Sequence, residues 1–210
     1  MEVGRDDLVP SGEQYNRGPA TTPRQAASVI LLRGGSDRLE VLLVKRNPAT
    51  RFMGGAWVFP GGALDAGDEG GDAPHRAAAV RELSEEAAVE GVDPATLVPF
   101  SRWITPEEVK IRFDTRFFLT PAPDGAEPAP DGEETVDARW FTPRAALDAH
   151  GEGEILLVFP TIKHLEQVGA FATADALLDY ARGRDVVPVQ PRVVMSGETA
   201  RILLPGEPGY

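Results

Sequence analysis

Two apolar, β-branched runs stand first in the pattern: Ala27–Arg33 (ASVILLR) and Leu39–Arg46 (LEVLLVKR), separated by the turn segment Gly34–Arg38. Runs of this length bounded by Gly and Asp predict a β-hairpin. Asn47–Gly55 reads as a loop, and Trp57–Phe59 as a short strand. A Gly/Asp-rich stretch then leads to a helix predicted from Pro74 to about Glu90, with Pro in its first turn and Gly91 after its end. Leu97–Ile104, Arg112–Thr120 and Val136–Phe141 read as three further strands, the last two separated by the Pro- and acid-rich loop Pro121–Glu134. Helices are predicted at Pro143–Ala149, capped by Thr142, near Thr161–Phe171, and at Thr173–Arg182. The tail Val186–Leu204 reads as two strands around Ser196-Gly197. Strands cluster before and after one long helix, the order expected of a mixed α/β domain. Residues 1–24, polar and rich in Gly, Pro and Thr, read as a flexible N-terminal arm; 25–150 reads as the core domain, and 151–210 as helices and a strand pair packed on it.

The long helix carries the candidate chemistry. Val80, Leu83 and Ala87 recur at i, i+3 and i+7 and define its buried face. Glu82 and Glu86 share another face with Glu85 beside them, directed away from the core stripe. Like charges at i,i+4 cost roughly 0.2–0.5 kcal/mol. A solvated acidic face tolerates that cost; a divalent cation bound by hard carboxylate oxygens removes it. Arg81, four residues before Glu85, is placed to orient a carboxylate. Upstream, Phe59-Pro60-Gly61-Gly62 follows a strand, and two glycines there permit a sharp turn with exposed backbone.

Charge and composition narrow the partners. The 210 residues include 33 acidic and 21 basic side chains, a net charge of −12, which argues against duplex nucleic acid as partner. An anionic substrate therefore needs local cations. No cysteine is present, which excludes disulfides, thiol nucleophiles and zinc–thiolate sites. The first 25 residues contain no apolar leader segment, and runs such as Ala26–Leu32 are too short to span a membrane, so a cytoplasmic enzyme is the expectation. His75, His150 and His164 are scattered and read as surface or capping residues. Trp57, Trp103 and Phe113 are placed to stack on an adenine, although aromatics at strand positions are more often core. No P-loop and no G-x-S-x-G elbow occurs.

Taken together, the glycine turn and the helix resemble the Nudix box, G-x5-E-x7-R-E-U-x-E-E-x-G-U, where U is aliphatic. Arg81-Glu82-Leu83-Ser84-Glu85-Glu86-Ala87-Ala88-Val89 matches its second half except that Ala88 stands at the glycine. Counting from Gly62, the acidic position falls on Asp68 rather than Glu, and 12 residues separate it from Arg81 where the pattern has seven, a five-residue insertion. The role of Asp68 stays open at this stage.

The resemblance implies a Nudix-type α/β/α sandwich with a mixed sheet and the loop–helix motif. It implies Mg2+, with Mn2+ as a substitute, bound by Glu82, Glu85 and Glu86 with the carbonyl of Gly61 or Gly62, and hydrolysis of a diphosphate (P–O–P) linkage. In this family a further acid often lies six residues before a tryptophan, here Glu134 before Trp140; it reads as an outer metal ligand, as the general base, or as a loop-edge glutamate in an acidic segment. The stretch Leu42-Leu43-Val44-Lys45-Arg46-Asn47, with Arg51, Gly55 and Phe59-Pro60-Gly61-Gly62 at fixed spacing, is similar to the L-L-T-x-R-S-x3-R-x3-G-x3-F-P-G-G pattern of coenzyme A diphosphatases, with Val44 and Asn47 replacing its Thr and Ser. Phe52–Phe59 and Arg112–Phe118 also resemble the peroxisomal-type branch and its bacterial relatives. Coenzyme A or acyl-coenzyme A is the favoured substrate, with ADP-ribose and NADH as alternatives. Arg46 and Arg51, with Lys45, supply the positive charge a phosphate needs; Arg51 pairing with the acidic loop is the other reading. A Nudix-fold module that binds without turnover is a second hypothesis, motivated by Ala88, Asp68 and the insertion. The C-terminal strands are candidates for pairing with a second copy of the chain in a homodimer.

Overall fold

A computed structural model describes residues 2–4, 16, 18–50, 53–65, 68, 74–196 and 199–210. Twelve strands and four α-helices are present among them: β1 (Glu2–Gly4), β2 (Arg24–Arg33), β3 (Glu40–Arg46), β4 (Ala56–Val58), β5 (Gly61–Ala63), α1 (Pro74–Ala87), β6 (Val98–Ile104), β7 (Phe113–Pro121), β8 (Thr135–Phe141), α2 (Pro143–Gly151), β9 (Leu156–Leu157), α3 (Phe159–Val168), α4 (Ala174–Arg182), β10 (Pro188–Val189), β11 (Arg192–Ser196) and β12 (Thr199–Leu203).

Nine strands form one mixed sheet in the order β10-β6-β7-β2-β3-β4-β9, with β5 also on β2 and β8 also on β3. β2 is its axis. It runs parallel to β7 from Arg24↔Phe113 to Leu32↔Pro121. The run ASVILLR is continuous rather than alternating because β2 is covered on both faces. Ala27, Val29 and Leu31 face α1 with Leu42, Val44, Ala78, Ala79 and Leu83. Ile30 and Leu32 face the other way, with Val41, Leu43, Leu165 of α3 and Leu177 of α4. The sheet is thus sandwiched between α1 and α2–α4, the three-layer α/β/α arrangement that the family resemblance implies. Leu83 is fully buried, a contribution of about 2–3 kcal/mol.

The hairpin expected from residues 27–46 is paired only at its turn end, through Leu32↔Val41 and Arg33↔Glu40. Beyond these pairs β2 and β3 part. β5 slots against Ala26–Ser28 of β2, whereas β3 pairs with β4 and β8. The splay matters for function, because the short strand inserted there begins with Gly61 and Gly62.

α1 ends at Ala87, short of the expected Glu90. Ala88 adopts φ 53°, and its N–H donates to the Ser84 carbonyl at 2.9 Å. A left-handed residue stops a helix, and an alanine there carries a penalty of roughly 1–2 kcal/mol that glycine avoids. Ala88→Gly is expected to raise stability by about 1 kcal/mol, part of the relief being offset by glycine's larger unfolded-state entropy. A urea midpoint at or below wild type would contradict it.

Thr142 and Thr173 cap α2 and α4 by accepting from Ala145 N and Ala176 N. The two tail strands form as β11 and β12; the Gly197 of their expected turn lies outside the described residues. β1 pairs with β12, so part of the N-terminal arm is a strand of this second, three-stranded sheet. The arm is also held where it enters β2: Thr21 Oγ1 donates to the Lys110 carbonyl at 2.9 Å, and Arg112 Nη1 donates to the Thr21 carbonyl at 2.6 Å. Among the described residues no helix is long and apolar enough to cross a membrane.

Candidate active site

The glycine turn is fixed from beneath. Val29 N and Ser28 Oγ both donate to the Pro60 carbonyl, at 2.9 and 2.8 Å. Ser28 is the one polar residue between Ala26 and Leu32 of β2, a signal that a backbone group needs a partner there. A Cβ at Gly61 would overlap the backbone of Ala27 and Ser28; a Cβ at Gly62 would overlap the Glu82 carboxylate. Each glycine therefore permits a close approach: one lets β5 seat on β2, and the other lets a helix carboxylate touch the turn.

Glu86 is the centre of the arrangement. It is 3% exposed, not on a solvated face. This corrects the expectation that all three carboxylates point away from the core: Glu86 follows Leu83 by three residues and turns with it toward the splay in the sheet. Its Oε2 accepts from Gly61 N at 2.9 Å, and Arg46 Nη1 lies 3.5 Å from Oε1. Burial pushes its pKa up to about 7, against the Gly61 N–H and Arg46; the charges of Glu82 and Glu134 add to the rise. Thr135 Oγ1 donates to the Glu86 carbonyl at 2.7 Å, tying β8 to the helix. Burial also raises Glu82, with Arg81 opposing and Glu85 and Glu134 reinforcing. Glu134 is exposed at the mouth of β8, its backbone carbonyl accepting from Asn47 N at 2.8 Å.

Arg81 organises the outer half. Its Nη1 donates to Glu82 Oε1 at 2.9 Å and to Glu85 Oε2 at 2.8 Å. Its Nε and Nη2 take Asp68 in a bidentate grip, at 3.2 and 3.0 Å, and Nη2 also donates to the Ala63 carbonyl at 3.1 Å. Asp68 is 5% exposed, and the Arg81 guanidinium holds its carboxyl below the ordinary range. The question left open by the sequence is thereby answered: Asp68 anchors the arginine that holds Glu82 and Glu85. A β-bulge between Lys45 and Arg46, where β3 pairs with β8, precedes the contact of Arg46 with Glu86. Arg51 lies outside the described residues.

Among the described residues no three acidic or histidine side chains converge tightly enough to hold an ion as they stand. The geometry says why: Arg81 occupies Glu82 and Glu85, and Glu86 is turned to Gly61. The donor set nonetheless suits a hard cation. It consists of oxygens only, and Glu86 and Glu82 are carboxylates whose negative charge burial leaves under-compensated.

Two of the three histidines differ from expectation. His164 of α3 is fully buried, ringed by Phe59, Phe100, Trp103 and Phe117, with Ser101 Oγ 2.5 Å from Nε2; burial pulls its pKa down to about 4. The helical period around Ile162, Leu165 and Val168 put it within reach of the core. His75 is buried too and bonds Gln25 Oε1 at 3.0 Å. His150 accepts from Leu157 N, near the end of α2. Trp57 is core, edge-on to Phe141.

The NUDIX domain model matches residues 22–159, and the chain belongs to the Nudix hydrolase family, whose members act on diphosphate linkages and generally use divalent metal ions such as Mg2+. A NUDIX hydrolase from Alicyclobacillus acidocaldarius superposes with a TM-score of 0.65 at 28% identity, over 76% of this chain and 96% of that one. The NUDIX domain of Shewanella oneidensis NrtR, solved with ADP ribose, shares the fold at a TM-score of 0.53 and 18% identity, over 70% of this chain and 86% of that one. Among curated relatives, putative nudix hydrolase 7 of Caenorhabditis elegans is 26% identical, over 89% of this chain and 74% of its own. Human acyl-coenzyme A diphosphatase NUDT19 is 24% identical, over 89% of this chain and 80% of its own.

Proposed function

We propose that this chain hydrolyses the diphosphate of coenzyme A or acyl-coenzyme A, using a divalent cation held by Glu82, Glu85, Glu86 and the Gly61 carbonyl. The observation that carries the reading is the buried Glu86 carboxylate against Gly61, with Glu82 packed on Gly62 and the charge of Glu134 bearing on both. Buried like charges are costly alone and favourable around a cation. When bound, the ion supplies charge neutralisation and an acidified water.

The chain's own residues do the rest. Arg81, anchored by Asp68, orients Glu82 and Glu85, which with Glu86 would hold the ion. Arg46 and Arg51, with Lys45, take substrate phosphate oxygens. Exposed Glu134 accepts the proton from the attacking water. The water oxygen joins phosphorus as the P–O bond breaks, and the departing phosphate keeps the bonding electrons. A cytoplasmic enzyme working on a small molecule, without duplex nucleic acid or membrane, is part of this reading. The preference for coenzyme A is supported by the arginine spacing before the glycine turn and by the name of the human relative.

The test is a panel of coenzyme A, acyl-coenzyme A, ADP-ribose, NADH and nucleoside triphosphates with Mg2+ or Mn2+, products identified by mass. The expected result is fastest cleavage of a coenzyme A species, to 4′-phosphopantetheine (or its acyl form) and adenosine 3′,5′-bisphosphate. Faster cleavage of ADP-ribose or NADH moves the substrate assignment. Binding without turnover of any member would make the chain a non-catalytic module.

A further inference from the structure

A pocket lies along α1 from the carboxylates and shares no residue with them. It has a volume of about 330 Å³ and is walled by His75 and Arg76 of the first turn of α1, by Arg102 of β6 and by Arg116 of β7. Ligand pockets typically run from about 300 to 1,000 Å³, so this one suits a single charged group with a small attachment. At about 1.5 Å per residue, ten residues of helix place its floor roughly 15 Å from Glu85.

The charge inside is what sets it apart. Arg102 and Arg116 are direct cross-strand partners in the β6–β7 pair. Like charges directly opposite each other in a sheet are destabilising. One carboxylate relieves them: Asp114 accepts from Arg102 Nε and Nη2 at 2.7 and 2.6 Å, and is itself held by Gln25. Arg116 is exposed, and its positive charge bears on Asp114 and on His75. Arg76 donates only to carbonyls, those of Pro94 and Leu97, while its guanidinium lies over Phe118. Three guanidinium groups thus wall the pocket, and Asp114, the carboxylate paired with Arg102, is already committed, in a chain whose net charge is −12. His75 responds to the same field: burial first, then the positive charge of Arg116, lowers its pKa, with Asp114 opposing.

We propose that this pocket binds the phosphate of a phosphate monoester, gripped by Arg116 with Arg76 and Arg102 beside it. A guanidinium fork matches a phosphate edge, and a group carrying about two negative charges cancels the excess that Asp114 leaves.

The probe is inorganic phosphate, titrated into the full-length, metal-free protein while arginine side-chain Nε–Hε resonances are followed by NMR. Saturable shifts centred on Arg116 are expected, and Arg116→Ala should weaken binding about tenfold or more, the loss of one charge-assisted contact. Glu86→Gln should bind phosphate as wild type does, which separates this site from the diphosphate reading. Coenzyme A added to the Glu86→Gln protein distinguishes the source: displacement of inorganic phosphate assigns the pocket to a phosphate carried by that molecule, and persistence assigns it to a separate phosphorylated ligand. Absence of saturable shifts, or equal affinity in wild type and Arg116→Ala, would overturn the proposal.

Discussion

Replacing Glu86 by glutamine is expected to make the metal-free protein more stable at pH 8 while lowering diphosphate hydrolysis at least about 100-fold, the upper end of what losing a mere supporting group around a metal costs. The stability half follows from burial. Unfolded, the carboxyl titrates near 4.5; folded, near 7. Between those values the native state keeps a proton that the unfolded chain gives up, so stability contributed by Glu86 falls as pH rises through this window and is fully lost above it. The gap corresponds to about 3 kcal/mol. His164, held neutral by burial, works in the opposite direction between about 4 and 6.5. The comparison must therefore be a difference: urea unfolding of wild type and Glu86→Gln at pH 5 and pH 8. The variant should gain on wild type between the two pH values, by up to about 3 kcal/mol. A constant offset would mean that Glu86 is already compensated in the folded chain.

Arg81→Met is the opposite case. It leaves Asp68 buried without its partner and releases Glu82 and Glu85 to repel each other. Removing one member of a buried, hydrogen-bonded ion pair costs about 3–5 kcal/mol. A fall of that size in unfolding free energy is expected. Adding Asp68→Asn to Arg81→Met should restore part of it, because the orphaned charge goes with the partner that held it. If the single variant unfolded within about 1 kcal/mol of wild type, the network would be a surface ornament of the kind many ion pairs are. If Asp68→Asn brought no recovery, Asp68 would not be what Arg81 is anchored to.

Much of this architecture was legible beforehand, for reasons that differ by element. β2 and β3 announced themselves as apolar β-branched runs, and their burial on both faces follows from the lack of alternation. Thr142 and Thr173 marked helix starts because a side-chain oxygen there satisfies an otherwise orphaned N–H. Glu82, Glu85 and Glu86 were visible from spacing, but their environments were not. The helical period places Glu86 beside the core stripe, yet whether it meets solvent or a sheet depends on where β2 and β3 part, and that is a tertiary event. Asp68 is obscured by the insertion, since the altered spacing hides that its carboxylate meets Arg81. The end of α1 differs from the expected one because Gly91 is the obvious stop in the sequence pattern, whereas Ala88 takes the left-handed conformation three residues earlier. Arg102 and Arg116 are 14 residues apart and face each other only through the register of β6 and β7.

The most direct test of the whole account is Mn2+ binding to the purified chain, followed by electron paramagnetic resonance of the free ion. Wild type should take up the ion with an affinity that falls as pH drops below about 7, where Glu86 gains its proton. Glu86→Gln and Glu82→Gln should each bind it about 10–100-fold more weakly. Affinity unchanged in both variants would put the ion elsewhere and detach the helix carboxylates from the chemistry.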